Sequence, residues 1–375
     1  MRIGLDGKVL TLRAGGIGRY AINLTRALLA EAAARRPDLE FVIFTGPQTS
    51  RDVMEEFRGA CEECFLGAKS SVFRSLALVP AALRRVGVDV FHGMDHVGVP
   101  FVGRSGRYVA TVHDVIALLL PETFTPRHRL VVRTALAMVR RRADLVIVPS
   151  HAVERDVVER LGLPADRVVV TPEGCEPRFR PTPCADVLAR YGLPSPYVLA
   201  VGTLEPRKNL TTLLQAFARL RRQDGIDPAL RLVLVGARGW LDEPIYETVR
   251  SLGLDGTVHF AGFVDDDDLP AVYSGAALFV FASLYEGFGL PLLEAMACGV
   301  PVVTSNVSAM PEVAGDAAML VDPRDVDGLA AAIARLLRDD ALRDRLRGAG
   351  LARARQFPWE ATARRTLDAY ASLAQ

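Results

Sequence analysis

The chain has 375 residues, and its 45 lysines and arginines almost balance its 44 aspartates and glutamates. This length predicts two domains, and the balanced charge argues against nucleic acid as a partner. Residues 1–6 do not resemble a secretion signal, no uncharged stretch reaches the roughly 20 residues of a membrane span, and the five cysteines lack zinc-site spacing, so a soluble cytoplasmic protein is expected.

In the first half of the chain, short apolar runs alternate with helical patterns. The predicted strands are residues 2–5, 41–44, 89–91, 108–112, 145–148 and 168–170, and the predicted helices are residues 18–31, 127–142 and 152–161. This alternation is typical of a doubly wound parallel sheet. Six prolines between Pro172 and Pro196 then indicate an interdomain linker, because proline disfavours both helix and sheet.

A second alternating series follows the linker. Its predicted strands are residues 197–201, 232–235, 258–260, 278–281 and 301–304, and its predicted helices are residues 326–337, 341–355 and 358 to the end. Two α/β domains with doubly wound sheets are therefore predicted, at residues 1–180 and 190–357. Such domains bind ligands at the carboxyl ends of their strands, so the loops after the strands hold the candidate site residues.

The first glycine-rich loop, AGGIGRYA at residues 14–21, formally matches a dinucleotide fingerprint through Gly16, Gly18 and Ala21. That fingerprint requires its first glycine directly after the first strand, whereas about ten residues separate Leu5 from Gly16. The second predicted strand also lacks a carboxylate for a ribose hydroxyl. An NAD-dependent oxidoreductase is therefore the weaker interpretation. The alternatives are a loop of exposed backbone near a diphosphate and a flexible cap on the first helix.

The loop VGTLEPRKN, residues 201–209, joins a predicted strand to a helix whose expected N-cap is Asn209. Arg207 and Lys208 precede that helix N-terminus, where the helix dipole repels cations. The arrangement becomes favourable if an anion binds between them, and an arginine with a lysine suits a diphosphate. The alternative is a pair of solvated charges on a mobile loop.

The passage EGFGLPLLE, residues 286–294, follows a predicted buried strand and runs into a helix with Pro291 at its first position. Glu286 lies on the loop, and Glu294 lies about one turn inside the helix. Backbone N–H groups at a helix N-terminus bind anions, so two carboxylates beside them predict a sugar nucleotide as ligand. The alternative is a packed turn with solvated glutamates.

Four further residues on strand-end loops have side chains suited to an active site. His113 and Asp114 close the predicted strand 108–112, where the aspartate could fix the tautomer of the histidine, although an ordinary loop histidine also fits. His92 and His96 flank another such loop. Because no third ligand accompanies them, a loop that lines the cleft is favoured over a metal site.

Two charge runs have structural explanations. The four aspartates at residues 265–268 precede a helical pattern, so helix capping and dipole compensation are favoured over metal binding. Arg140, Arg141 and Arg142 end a predicted helix, where cations complement the dipole. The alternative for these arginines is contact with an anionic or lipid-linked acceptor.

The spacing of Glu286 and Glu294 within EGFGLPLLEAMACGVPVV resembles the E-x7-E element of retaining glycosyltransferases of the GT-B type, family four. The passages around Gly16, His113 and Arg207 agree with that family in chain order. The resemblance implies a GT-B fold with two Rossmann-like domains facing across a cleft. Residues 1–180 would be the acceptor side, residues 190–357 would bind the nucleotide sugar, and a helix at 358–375 would pack back on the first domain.

The resemblance also implies the roles of individual residues. Arg207 and Lys208 would bind the donor diphosphate in place of a metal and support the departing nucleotide. Glu286 would orient the donor sugar, Glu294 would bind the ribose, and His113 with Asp114 would act at the sugar, the histidine supporting its positive charge. The other donor-binding positions are Gly16, Thr203, Phe263, Val264, Phe288, Gly289 and Leu290. For Phe263, core packing is the alternative.

The activity implied is transfer of a sugar to a hydroxyl of a glycan or lipid-linked glycan. The first expectation for the sugar is mannose, from GDP-mannose. No carboxylate is placed as a covalent nucleophile, and the resemblance implies front-face attack. No metal is expected, and no cofactor beyond the donor. Peripheral contact with a membrane is expected. The alternatives are a sugar-nucleotide epimerase, the NAD-dependent oxidoreductase and a subunit that binds sugar nucleotides without catalysis.

Overall fold

The computed structural model describes residues 1–11, 15–67, 73–98, 100, 102–103 and 105–373. The chain forms two compact units. Unit 1 comprises Met1–Pro121, Pro126–Gly174 and Pro358–Gln375, and unit 2 comprises Glu122–Thr125 and Cys175–Phe357. The proline-rich stretch predicted as a linker therefore lies largely within unit 2.

The described residues of unit 1 form a parallel sheet of seven strands in the order β3-β2-β1-β4-β5-β6-β7. The strands are β1 Arg2–Asp6, β2 Glu40–Thr45, β3 Glu62–Phe65, β4 Val90–Gly93, β5 Arg107–Thr111, β6 Leu145–Val148 and β7 Val168–Val170. The glycine at position 4 in β1 leaves room for two core rings, because a Cβ there would lie 2.8 Å from Phe44 and 3.2 Å from Phe91.

Helices surround the sheet of unit 1. They are α1 Gly15–Arg35, α2 Arg51–Glu56, α3 Val79–Val86, α4 Ile116–Leu119, α5 Pro126–Arg142, α6 His151–Glu159 and, from the end of the chain, α15 Trp359–Ser372. The α15 helix packs on α1, and Arg364 Nη1 lies 2.9 Å from Glu31 Oε1 at that contact.

The described residues of unit 2 form a second parallel sheet, of six strands in the order β10-β9-β8-β11-β12-β13. The strands are β8 Tyr197–Val201, β9 Arg231–Val235, β10 Val258–Gly262, β11 Leu278–Phe281, β12 Val302–Ser305 and β13 Met319–Val321. The helices are α7 Ala185–Arg190, α8 Leu210–Leu220, α9 Glu243–Ser251, α10 Leu269–Ser274, α11 Leu290–Ala297, α12 Met310–Ala314, α13 Val326–Arg338 and α14 Asp340–Ala354.

The packing of α13 shows how a unit 2 helix is specified. Asp325 caps its first turn by accepting a hydrogen bond of 2.9 Å from the Gly328 amide, and Leu329, Ile333 and Leu336 are fully buried at helical spacing. Both sheets are all parallel and reverse their strand order, next to β1 in unit 1 and next to β8 in unit 2. The prediction of an α/β fold with two Rossmann-like domains is confirmed.

Candidate functional site

The strand order of unit 2 brings the two predicted donor-binding loops together. β8 and β11 are neighbours at the point where the order reverses, so the loops that leave their carboxyl ends lie side by side. The loop after β8 contains the 3-10 turn Pro206–Lys208, and the loop after β11 contains Glu286. A backbone hydrogen bond of 2.9 Å from the Leu284 amide to the Arg207 carbonyl joins the two loops.

A cluster of four charged side chains forms where these loops meet. Glu286 Oε1 lies 2.6 Å from Lys208 Nζ, and Glu286 Oε2 lies 2.8 Å from Arg207 Nη1. Glu205 pairs with Arg207 from the other side. The alternative of solvated charges on a mobile loop was therefore wrong, because Lys208 and Glu286 are buried and each cation has a carboxylate partner.

Burial and charge work against each other in this cluster. Burial would raise the pKa of Glu286, but the charges of Arg207 and Lys208 outweigh it and hold that pKa at about 2. Burial lowers the pKa of Lys208, and the charge of Arg207 lowers it further against the opposing effect of Glu286. Burial raises the pKa of Glu205. With Glu286 and Glu205 both ionised, two carboxylates neutralise two cations.

Lys208 has little freedom to move. Its Cε would lie 3.1 Å from a Cβ on Gly202, whose φ of 146° favours glycine, and its ammonium lies 4.9 Å from the centroid of the Phe281 ring. Asn209 is the N-cap residue of α8, as predicted, and has a left-handed conformation with φ of 57°. Its side chain does not cap a first-turn amide, because its Oδ1 accepts a hydrogen bond of 2.7 Å from the Thr212 hydroxyl, and its amide nitrogen donates to the carbonyl of Ala282 at 3.0 Å.

The helix after Glu286 begins one residue earlier than predicted, at Leu290, so Pro291 is its second residue. Gly289 precedes it with φ of 106°, a conformation that other residues rarely adopt. Glu294 lies inside α11 and is 3% exposed, and its Oε2 accepts a hydrogen bond of 2.8 Å from the Tyr273 hydroxyl. One carboxylate oxygen is therefore held by the protein.

The remaining donor-binding predictions fall on loops and a helix start. Phe263 is 65% exposed, so the alternative of core packing was wrong for it, whereas the adjacent Val264 is buried. Thr203 is half-buried on the loop after β8. Phe288 is buried with its ring 5.8 Å from that of Phe357.

Gly16 lies in the first turn of α1, separated from β1 by several residues, so the glycines do not follow the strand as a dinucleotide fingerprint requires. A Cβ at Gly16 would meet no described atom within 4 Å. The neighbouring Ala14 lies outside the described residues.

In unit 1, His113 is buried just after β5, and its partner is not the one expected. Nδ1 lies 3.2 Å from Glu173 Oε1, and Nε2 lies 3.0 Å from the Met94 carbonyl oxygen. Asp114 instead accepts a hydrogen bond from the Ile116 amide. The expectation that Asp114 fixes the tautomer was therefore wrong, and Glu173 was missed, although it follows β7 at the carboxyl edge of the sheet.

His92 does not line a loop, contrary to the expectation for it. It lies within β4, fully buried, with Nδ1 2.6 Å from the Tyr370 hydroxyl and Nε2 2.8 Å from Thr111 Oγ1. Burial lowers its pKa to about 3. His92 is thus a neutral core residue, because two hydroxyl partners satisfy a neutral ring.

Charged residues lie near the carboxyl end of β1, and the sequence analysis missed their pairing. Lys8 Nζ lies 3.0 Å from Asp95 Oδ1, and Arg74 Nη1 lies 2.7 Å from the buried Asp6 Oδ1. Both pairs lie at the ends of β1 and β4, where the strand order reverses. The position of Asp6 at the end of the first strand was the available signal.

The aspartate run at residues 265–268 precedes α10 as predicted, with Asp268 as the N-cap residue, but its side chains form ion pairs. Asp268 does not cap α10 with its side chain and instead pairs with Arg190 at 3.0 Å, while Arg178 lies 3.5 Å from Asp266. These ion pairs offset part of the negative charge of the run. Among the residues that the structure describes, no group of three or more His, Cys, Asp or Glu side chains could hold a metal ion.

The arginines at the end of α5 face different ways. Arg142 donates to the Gly103 carbonyl and lies 5.7 Å above the Tyr108 ring, whereas Arg140 and Arg141 are exposed. At the other end of the same helix, Leu130 is 67% exposed. In the described part of the chain, no helix combines the length and apolar composition that crossing a membrane requires.

Two family models match the chain. The model described as Glycosyltransferase Family 4 covers residues 14–179, and the model described as Glycosyl transferases group 1 covers residues 191–353. O-antigen chain mannosyltransferase B of Escherichia coli is 35% identical over 95% of this chain and 95% of its own length. Serotype-specific mannosyltransferase WbdA of Escherichia coli is 32% identical over 74% of this chain, which spans only 35% of that protein.

Among solved structures, sucrose-phosphate synthase from Thermosynechococcus elongatus is similar with a TM-score of 0.77 and 26% identity, covering 100% of this chain and 99% of that one. The family resemblance inferred from the E-x7-E spacing is thereby confirmed, as is the GT-B fold. The chain is a glycosyltransferase, and it belongs to the group 1 glycosyl transferases of family 4.

Proposed function

We propose that the protein transfers mannose from GDP-mannose to a hydroxyl of a glycan, with retention of the anomeric configuration and without a metal. The observation that carries the proposal is the cluster of Arg207, Lys208 and Glu286 at the carboxyl edge of the unit 2 sheet. It combines cations suited to a diphosphate with a carboxylate suited to sugar hydroxyls. Mannose is favoured because O-antigen chain mannosyltransferase B, to which 95% of this chain is matched at 35% identity, is a mannosyltransferase.

The two cations take the part that a metal has in other transferases. As the bond between the sugar and the phosphate breaks, negative charge grows on the departing nucleotide, and buried cations stabilise that charge more than they stabilise the intact donor. Glu286 would hold the sugar and Glu294 the ribose. The acceptor hydroxyl would attack from the face that the phosphate leaves, and the phosphate oxygen would take its proton.

The proposal is tested first by donor choice. The purified chain is incubated with GDP-mannose, UDP-glucose and other nucleotide sugars without acceptor, and the released nucleoside diphosphate is measured. GDP-mannose should be hydrolysed faster than the other donors. A faster reaction with a uridine or thymidine sugar would refute GDP-mannose as the donor.

Stereochemistry and metal dependence are tested on the same product. Product is made from GDP-mannose and a mannose-containing oligosaccharide after exhaustive EDTA treatment, and its anomeric proton is observed by NMR. Retained configuration and most of the untreated activity are expected. An inverted product would overturn the retaining assignment, and activity that returns only with magnesium or manganese would overturn metal independence.

We further propose that α5 contacts an anionic lipid surface. The helix PRHRLVVRTALAMVRRR contains six arginines and no acid, and its first turns expose Leu130 at 67% and Val131 at 50%. Cations beside exposed aliphatic residues suit the headgroup region of an anionic membrane. The chain should co-sediment with phosphatidylglycerol vesicles and not with phosphatidylcholine vesicles. Arg129→Glu with Leu130→Ser should abolish this binding, and unchanged binding would refute the assignment.

A further inference from the structure

His113 has a hydrogen-bond acceptor at each nitrogen of its ring. Nδ1 faces the Glu173 carboxylate at 3.2 Å, and Nε2 faces the Met94 carbonyl oxygen at 3.0 Å. A neutral imidazole has one N–H and can donate to one acceptor. Because a carbonyl oxygen can only accept, a neutral ring would place its N–H at Nε2 and would turn the Nδ1 lone pair towards a carboxylate oxygen.

We infer that Glu173 holds His113 as an imidazolium, so that both N–H groups donate and the two residues form a buried ion pair. Glu173 is then a positioning residue that acts through His113. The catalytic consequence rests on the proposed function and on the family resemblance, which implies that His113 acts at the sugar. The protonation state itself does not depend on which sugar the enzyme transfers.

The surroundings of the ring favour its charged form. Burial lowers the pKa of His113, but the hydrogen bond and the charge of Glu173 outweigh burial and leave the pKa above its usual value. The Tyr20 ring stands perpendicular to the imidazole with centroids 4.6 Å apart, and it helps to fix the ring plane. Other charged or titratable groups interact electrostatically with His113 or with its neighbours. They are Asp114, Asp95, His92, His96 and Lys8.

This state restricts what His113 can do in the reaction. An imidazolium that donates from both nitrogens has no lone pair, so it cannot accept the proton of the attacking hydroxyl. When the acceptor oxygen bonds to the anomeric carbon, the bond from that carbon to the phosphate oxygen breaks, and the proton must pass to another base. The departing phosphate oxygen is that base in the proposed function, and the balance closes without His113.

The inference also corrects the role that the family resemblance implied for this histidine. A cation would repel the positive charge that develops on the sugar, so His113 cannot support that charge by itself. With Glu173 ionised, the pair is neutral. The pair of His113 and Glu173 therefore contributes a fixed wall without net charge, and the hydrogen bond between them fixes the imidazole ring.

The protonation state is measured directly by NMR of the full chain with 15N-labelled histidine, near neutral pH. His113→Gln identifies the signals of His113 by their loss. Both ring nitrogens should have the shifts of protonated nitrogens, whereas His92 should be neutral. In Glu173→Gln, one His113 nitrogen should become unprotonated, and Glu173→Asp should restore the cation in part. A neutral His113 in the unmodified chain, or a cationic one in Glu173→Gln, would overturn the inference.

The kinetic arm separates positioning from a general loss of structure. Glu173→Gln should lower kcat at least about tenfold with the donor KM nearly unchanged, and it should add a new inflection to the acid side of the pH profile. Glu154→Gln is the matched control, because Glu154 pairs with the exposed His151 on α6 and should affect neither quantity. An unchanged kcat in Glu173→Gln would refute the positioning role. A chain without transferase activity would refute the proposed function while the NMR result still stood.

Discussion

Glu286 Oε1 accepts a hydrogen bond of 2.6 Å from Lys208 Nζ, although the two residues are 78 positions apart in the chain. The carboxylate neutralises the lysine within the protein, so a phosphate that binds Lys208 must compete with Glu286 or share the cation with it. The residue proposed to hold the sugar thus also sets the affinity for the nucleotide. Removing the charge of Glu286 should therefore strengthen nucleotide binding and slow turnover.

Glu286→Gln should bind GDP and UDP more tightly and turn over more slowly. Removing the negative charge relieves repulsion of the diphosphate, and an affinity gain of roughly fivefold, about 1 kcal/mol, is expected. Turnover should fall at least about a hundredfold because the amide cannot accept hydrogen bonds from sugar hydroxyls as the carboxylate does. Isothermal calorimetry and nucleotide release measure the two effects. The exposed Glu247 provides the control as Glu247→Gln, and weaker nucleotide binding in Glu286→Gln would contradict the prediction.

Lys208→Ala should lose about tenfold to a hundredfold in turnover, on the order of 1.5–3 kcal/mol, because a charge-assisted contact with the departing nucleotide disappears. Nucleoside diphosphate release measures this loss. Arg250→Ala, which removes an exposed cation from α9, is the control and should retain full activity. Full activity in Lys208→Ala would exclude the lysine from the diphosphate site.

The low pKa of Glu286 makes the cluster sensitive to acid. Its pKa is about 2 in the folded chain and 4.5 as the ordinary value, so its contribution is present above pH 4.5 and is lost as the pH falls towards 2. The contribution is on the order of 3 kcal/mol for a group this buried. Urea unfolding at about pH 6 and about pH 3 should therefore show a stability gap between wild type and Glu286→Gln that narrows in acid. A gap that stays constant would show that the charge of Glu286 is unimportant for stability.

Glu294→Ala should weaken binding of both GDP and UDP, because the proposed contact is with the ribose that they share. Tyr273→Phe should have a smaller effect on binding but should lower the free energy of unfolding by about 1–2 kcal/mol, since it removes the hydrogen bond that the Tyr273 hydroxyl donates to a buried carboxylate. Calorimetry measures the first effect and urea unfolding the second. Parental nucleotide affinity in Glu294→Ala would assign this residue another role.

Several central strands were predictable to the residue. β6, β8 and β11 have the predicted bounds because their residues are almost entirely buried, so each appears in the sequence as an unbroken apolar run. The edge strands β3 and β13 were missed. The β3 sequence EECF is largely exposed and carries little apolar signal, whereas the β13 sequence MLV is apolar but only three residues long.

The candidate site was predictable in part for a related reason. Arg207, Lys208 and Glu286 stand where loops leave buried strands, and the chain order of such strands indicates which sheet edge they share. Their mutual pairing was not predictable, because charges that look unpaired along the chain find partners from distant loops. For the aspartates at 265–268, likewise, the position before a helix was predictable, but the ion pairs with Arg178 and Arg190 were not.

By itself the sequence determined the fold class, the two series of strands and helices and the glycosyltransferase family, since burial periodicity and the E-x7-E spacing are local properties of the chain. Tertiary structure alone decided which charges meet. Glu173 reaches His113 across 60 positions, and the adjacent Asp114 does not bond to it. The reason is physical: a buried ionised side chain requires a partner, and the strand order of a parallel sheet selects that partner from residues that are far apart in sequence.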